Sequence, residues 1–599
     1  MAEPQEFEEL QEDVSSSPLY SEDLAPVPAA KRTWKMLDLA AIWVGMAVCI
    51  PTYLLASYMV KAGMAWYEAL IIIAVANVVI TIPMVLNGHA GVKYGIPFPV
   101  LGRAAFGIHG IHLPAIVRGI VACGWFGVQT WIGGLAIYAI YKAVMHLTTG
   151  SPMDIGLELT AGKFVAFGIF WLINLYFIWN GTESIRKLEE YSAPILVIIG
   201  LLLIGWGWSG AGGFGIVLDQ SEQLEKPSVT LTHDSLAQQT TLVVNPLNDK
   251  EGVPKATEVK LGYLNANNDT ITTAWMPIAK VSGQPLRGLI YDLNTSAYST
   301  PGQGLELTFK GNINGIEHTS STITAAVALP NSSPPQSKLR PYLFWLTVML
   351  GFWATMSLSI ADITRYAKTQ RAQVVGQFVG LPGTMVLYSF VGIFVTCAAV
   401  INFDSVLIAD DAPWDPVALL AKFESPWVVI LAQVSMLVAT LSTNIAANVI
   451  APANAFSNLL PRQISFRTGG IITAVIGIVV CPWWLLGEIA NLLILVSGFL
   501  GPVLGILLAD YFVVNKKTLA LAHLYKPEGI YRFAGGFSVP ALAAMAAGVG
   551  AVLVGYFSSG TLAMLYELSW FTGFGAAFIV YLLLARRQVA SASSSSTAE

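Results

Sequence analysis

Residues 125 to 131 read Trp-Phe-Gly-Val-Gln-Thr-Trp and lie inside a long apolar stretch. A carboxamide in hydrocarbon is costly unless it is partnered, so Gln129 implies an interior surface and not one facing lipid. Trp125 stands one helical turn earlier on the same face, and an indole beside an amide suits a flat guest. The Gln129 amide carries a donor and an acceptor side by side, the complement of a lactam or urea edge.

A chain that is 55% hydrophobic and 12% charged has lipid as its main solvent and is read as an integral membrane protein. Stretches of roughly 20 apolar residues, enough to cross a bilayer at about 1.5 Å per residue, recur along it. Twelve are expected, near 37–60, 67–87, 112–145, 162–180, 192–212, 341–363, 373–401, 427–451, 468–485, 489–513, 538–557 and 562–585. The division between 468 and 513 is the least sharp.

Basic residues gather in every second loop. Lys31, Arg32 and Lys35 precede the first span; Lys93 with Arg103 follows the second, and Arg186 with Lys187 the fourth. Arg365, Lys368 and Arg371 follow the sixth, Arg462 and Arg467 the eighth, Lys516, Lys517 and Arg532 the tenth, and Arg586 and Arg587 the twelfth. The intervening 402–426 connection is acidic, with Asp404, Asp410, Asp411 and Asp415. The asymmetry places both termini in the cytoplasm of a multi-pass cell-membrane protein. The start is acidic and Pro-containing, so no cleavable signal peptide is expected and the first span serves as targeting element. Four cysteines, Cys49, Cys123, Cys397 and Cys481, fall inside expected spans, so disulfides are not expected.

The expected organisation is a disordered cytoplasmic segment 1–35, spans one to five in 36–212, a β-rich extracytoplasmic insertion 213–338, spans six to twelve in 339–587, and a disordered tail 588–599. Within the insertion, Ser228 to Thr232, Thr257 to Leu261 and Thr270 to Trp275 alternate as strands do. It is either a tolerated addition, or a cap, gate or binding module for an extracytoplasmic partner. The first and sixth spans are the candidates for interruption, since backbone unwound within a span exposes carbonyls at mid-membrane. Gly45 and Pro51 mark the first; Gly351, Ser357 and Ser359, around Trp353, mark the sixth.

Taken in order, WFGVQTW at 125–131, IADITRYAK at 360–368, LSTNIAAN at 441–448 with the APAN that follows, YGIPFPVLGRAAFG at 94–107 and ADYF at 509–512 resemble the nucleobase:cation symporter-1 family. The resemblance covers nearly all of the membrane part and leaves out 213–338, which typical members lack. It implies an all-α membrane protein of the LeuT-type fold, with two inverted five-helix repeats plus two helices. The implied substrates are planar nitrogen heterocycles or ureides such as uracil, cytosine, hydantoin or allantoin. Trp125 and Trp353 match the tryptophans that stack on opposite faces of the substrate, and Gln129 and Asn448 match its hydrogen-bonding amides; Asn444 is read as scaffold. Ser442 and Thr443 match the family's hydroxyl ligands to Na⁺, with Ala439, Gly45 and Val48 supplying carbonyls. Cys49 stands where a hydantoin-carrying member has a glutamine, which leaves the substrate open.

Asp38, Glu68, Asp362, Glu488 and Asp510 fall at span ends and no acidic or histidine residue falls near mid-span, which favours Na⁺ over H⁺ as the coupling ion. Nothing in the chain forms a phosphate-binding loop, and no enzyme activity, nucleic-acid partner or cofactor beyond the ion is expected. The alternatives are an amino-acid or other small-solute symporter of the same fold, and a transporter-like nutrient sensor using 213–338.

Overall fold

The computed structural model describes residues 7–595 except 154, 157, 181, 225–228, 235–238, 246, 265–269, 279–285, 291–303 and 329–337. The side chains of Arg186, Lys187, Arg586 and Arg587, used above for orientation, lie outside the described residues, as does Ser228.

Eight helices are long and apolar enough to cross a membrane, and three further pairs, each bent by more than 40°, bring the number to eleven among the described residues. The shorter apolar helix Phe466–Val479 takes the place of the ninth expected span. It ends earlier than expected because Cys481, in the left-handed region at φ 53°, and Pro482 turn the chain. Cys481 is therefore exposed at a turn and not inside a span.

The first span is two helices, Met36–Ala47 and Ile50–Lys61, meeting at 59°. Pro51 has no N–H to continue the ladder, Val48 leaves helical geometry at ψ 74°, and Cys49 is extended. The sixth span differs from expectation. Leu339–Ser359 runs unbroken past Trp353, and the turn comes at Ile360, before the short helix Ala361–Thr364. Gly351 serves close packing instead: a Cβ there would sit 2.4 Å from the Leu493 carbonyl oxygen of the tenth span, Ile489–Leu508.

The third span, His112–Thr149, is the central post, and glycines let its neighbours approach. A Cβ on Gly127 would meet the Gly477 carbonyl oxygen at 2.2 Å, and one on Gly134 the Phe167 Cα at 2.6 Å. Gly127→Ala is expected to destabilise the purified protein by about 1–3 kcal/mol. The check is its thermal unfolding midpoint in detergent, and an unchanged midpoint refutes this packing.

Residues 7–35 are packed along the face that carries residues 93–107 and 515–533, not disordered as composition suggested. Val14 and Leu24 are buried against Tyr94 and Tyr525. Arg103 donates to the Leu19 carbonyl at 3.1 Å, Arg365 to the Asp23 carbonyl at 3.1 Å, and Asp23 accepts from the Phe466 amide at 3.0 Å. The segment cannot make a core of its own, and docking supplies one.

The insertion opens with a helix, Phe214–Leu224, and not with a strand; the chain bends by 86° to enter it. Nine strands follow among the described residues: β1 Val229–Asp234, β2 Gln239–Val244, β3 Glu258–Leu264, β4 Thr270–Thr272, β5 Met276–Pro277, β6 Leu286–Ile290, β7 Gly304–Ile313, β8 Ile316–Thr319 and β9 Ile323–Ala328. Seven are ordered β4-β3-β7-β9-β1-β2-β6, with β5 on β3 and β8 on β7. Val259 pairs with Phe309 and Leu261 with Leu307, placing these apolar side chains on one buried face. Leu407 and Ile408, from the connection after the seventh span Gln370–Asn402, complete that core.

Candidate functional site

Gln129 is 2% exposed and its carbonyl oxygen has no partner within the protein. It lines a cavity between the first, third, sixth and eighth spans, together with Trp125, Trp353, Asn448, Cys49 and Thr443. Residues from 49 to 448 thus converge at the break in the first span. Five further lining residues were not singled out from the sequence: Met46, Phe352, Thr355, Met356 and Ala447. Four of these have side chains common in any apolar helix, so sequence type does not mark them.

The aromatic walls differ from simple parallel plates. Trp125 meets Phe352 edge-on, with centroids 5.3 Å apart at 78°. Phe352 in turn meets Trp353 at 4.8 Å and 68°, and Trp353 packs edge-on against Trp43 of the first span at 5.2 Å. Neighbouring residues on a helix diverge by about 100°, so Phe352 turns to the third span while Trp353 turns to the first. The Trp353 ring nitrogen is buried without a protein partner. The cavity therefore presents an unpaired acceptor on Gln129 and has an unpaired donor in its wall.

The eighth span, Pro426–Asn448, carries the other amides. Asn444 donates to the Phe126 carbonyl at 3.3 Å, Thr130 Oγ1 at 3.2 Å and Asn174 Oδ1 at 3.0 Å, and accepts from Asn448 Nδ2 at 3.1 Å. Asn444 is thus spent on holding the third, fourth and eighth spans together and on orienting Asn448 at the cavity wall.

On the other side of the break, Thr443 Oγ1 donates to the Gly45 carbonyl at 3.1 Å. Val48 packs on Ala439 in a small buried cluster, and Ser442 is buried alongside Thr443 in sequence. The five positions expected to bind an ion are therefore brought to the junction of the first and eighth spans. Carbonyls exposed by a broken helix, with neutral hydroxyls, make an uncharged oxygen-rich lining at this junction. Cys49 is a weak substitute for an amide: its sulfur lies 3.2 Å from Thr52 Oγ1.

Arg118 was missed because the sequence argument counted only acids and histidines. It is fully buried two turns before Trp125, donating to Ser359 Oγ at 2.8 Å and to the Thr355 carbonyl at 3.4 Å. A lone arginine inside an otherwise apolar span was the available signal. Asp362 is also buried and accepts from the Phe98 amide at 3.0 Å. The cavity encloses about 30 Å³. That is room for two or three waters at roughly 10–15 Å³ each.

A profile of the family described as "Permease for cytosine/purines, uracil, thiamine, allantoin" matches residues 26–245 and 316–573. The purine-uracil permease NCS1 of Arabidopsis thaliana is 33% identical over 98% of this chain and 82% of its own length. The allantoin permease of Bacillus subtilis is 30% identical over 95% of this chain and 94% of its own. Among solved structures, the nucleobase-cation-symport-1 family transporter Mhp1, closed with bromovinylhydantoin bound, superposes with a TM-score of 0.64 at 22% identity, covering 96% of each chain. The fold is the LeuT type, with a β-rich insertion added. The relatives are permeases and not enzymes, and the chain belongs to the nucleobase–cation symport-1 family of permeases for cytosine/purines, uracil, thiamine and allantoin.

Proposed function

We propose that the chain is a secondary active transporter that imports a nucleobase-like heterocycle or ureide, of the uracil, cytosine, hydantoin or allantoin class, together with Na⁺. The observation that carries this reading is the buried Gln129 carbonyl, without a protein partner, in an aromatic-walled cavity. A guest with adjacent N–H and C=O groups satisfies it, and aromatic faces add about 1–3 kcal/mol each for a base-like ring. The names of the relatives, purine-uracil and allantoin permeases, support the same chemical class. Among the described residues no carboxylate or imidazole lines the cavity, which supports Na⁺ and not a proton as the coupled species.

Na⁺ held by Ser442, Thr443 and the carbonyls of Gly45, Val48 and Ala439 joins the first span to the eighth. Substrate between Trp125 and the Phe352–Trp353 wall then draws the sixth span toward the third. The two repeats rock about this point, opening the cavity to either face in turn. The termini are assigned to the cytoplasm of the cell membrane, and the insertion to the outside.

The test is uptake of labelled heterocycles by reconstituted vesicles, with and without a Na⁺ gradient. Saturable uptake of a lactam or ureide that rises with the gradient is expected. Uptake driven by a proton gradient and indifferent to Na⁺ overturns the ion assignment. Gln129→Leu is expected to raise KM for a lactam roughly tenfold, since a hydrogen-bonding edge loses its partner at a cost of about 1–2 kcal/mol. An unchanged KM removes Gln129 from the substrate site.

A further inference from the structure

Lys255 belongs to the part of the insertion that the family profile leaves unmatched, residues 246–315, yet it is among the most buried side chains of the protein. Its ammonium donates to the carbonyls of Val400 at 2.8 Å, Ile401 at 3.2 Å and Phe403 at 2.9 Å, the unpaired acceptors that end the seventh span. Burial pushes this ammonium down to about 8, and Asp404 and Asp249 are the charges that oppose the shift. A second tie lies nearby. Ser321 donates to the Asp411 carboxylate through its amide at 3.0 Å and its hydroxyl at 2.6 Å.

Between these ties and the cavity runs one continuous piece of chain. Leu407 and Ile408 sit in the core of the insertion. Asp415 then caps the short helix Pro416–Ala421, accepting from the Val417 amide at 2.8 Å. Val417 and Leu420 pack with Ile50 and Leu54, of the second half of the broken first span, and with Val128 and Ile132, one residue before and three after Gln129. Lys61, at the end of that half-span, lies 5.9 Å over the Trp414 ring. The 403–421 segment thus packs on two of the helices that wall the cavity, and the insertion grips it.

We propose that Lys255 is a positioning residue for transport: it clamps the insertion to the end of the seventh span, so that insertion and 403–421 segment act as one brace on the helices that wall the cavity. The proposal rests on the transport reading in that the cavity must open to this side. A brace opposes that opening, so loosening it shifts the population toward the form open on the insertion side. The buried thiol of Cys49 in the cavity wall is a built-in reporter of that form.

The experiment uses the full chain in intact cells, with Cys123→Ala, Cys397→Ala and Cys481→Ser so that Cys49 is the only thiol. A charged, membrane-impermeant thiosulfonate is added outside, and the modification rate is read as a mass shift on the purified protein, without substrate. Lys255→Met is expected to raise the rate about fivefold or more, with substrate KM altered more than the maximal rate. Asp411→Ala, which breaks the second tie, is expected to act in the same direction, and it decides the matter if Lys255→Met fails to reach the membrane. An unchanged rate in the folded variant overturns the brace. Protection of Cys49 by uracil, allantoin or hydantoin in the parent chain tests the transport reading separately, so the failure of one is distinguishable from the failure of the other.

Discussion

Trp125→Ala is expected to weaken binding of a planar substrate by about 5- to 150-fold, the equivalent of roughly 1–3 kcal/mol for a lost stacking face. Trp125→Phe is expected to recover most of it. Trp125 has one aromatic neighbour across the cavity, Phe352, and is partly exposed, so truncation removes a wall of the site with little cost to the fold. The measurement is the dissociation constant of a labelled heterocycle on purified protein, with Na⁺ present. Retained affinity in Trp125→Ala sinks the stacking model. Comparison of Phe352→Ala with Trp353→Ala assigns the second plate. Phe352 faces Trp125 directly, whereas Trp353 leans on Trp43 and is expected to influence closure through the first span.

The paired variant Ser442→Ala and Thr443→Ala is expected to abolish Na⁺ stimulation of uptake within the accessible concentration range. Each hydroxyl lost from an ion is worth about 1.5–3 kcal/mol, by analogy with bonds to charged groups, or roughly 10- to 150-fold in Na⁺ affinity. Thr443→Ser restores a hydroxyl and is expected to recover Na⁺ dependence; Thr443→Val keeps the shape and is expected not to. By reciprocity, if Na⁺ raises substrate affinity by some factor, substrate raises Na⁺ affinity by the same factor. Both should vanish together. Uptake that keeps its Na⁺ dependence in the double variant moves the ion site elsewhere.

The site was legible to the extent that its geometry is local. Gln129 above Trp125 follows from a four-residue spacing in a helix, and the break before Pro51 follows from the missing N–H. The convergence of Trp125, Gln129, Asn448, Thr443 and Cys49 on one cavity was reached through the resemblance of ordered motifs, and the structure brings those residues together. Phe352 was not legible. Nothing in Phe352-Trp353 states which ring turns toward the third span, because that depends on how the sixth span is rotated among its neighbours.

The same distinction runs through the rest of the chain. Composition and run length alone determined a membrane protein of about twelve helical segments, and period-two alternation located strands in the insertion, because both signals depend on residues close in sequence. Only the tertiary structure decided what residues 7–35 dock against, which carbonyls Lys255 caps, what Arg118 holds and where the sixth span turns. Those answers join residues from tens to hundreds of positions apart, such as Arg118 with Ser359, Lys255 with Val400 and Asp23 with Phe466. A buried polar group announces in the sequence that it needs a partner; which partner it finds is decided by how the helices pack.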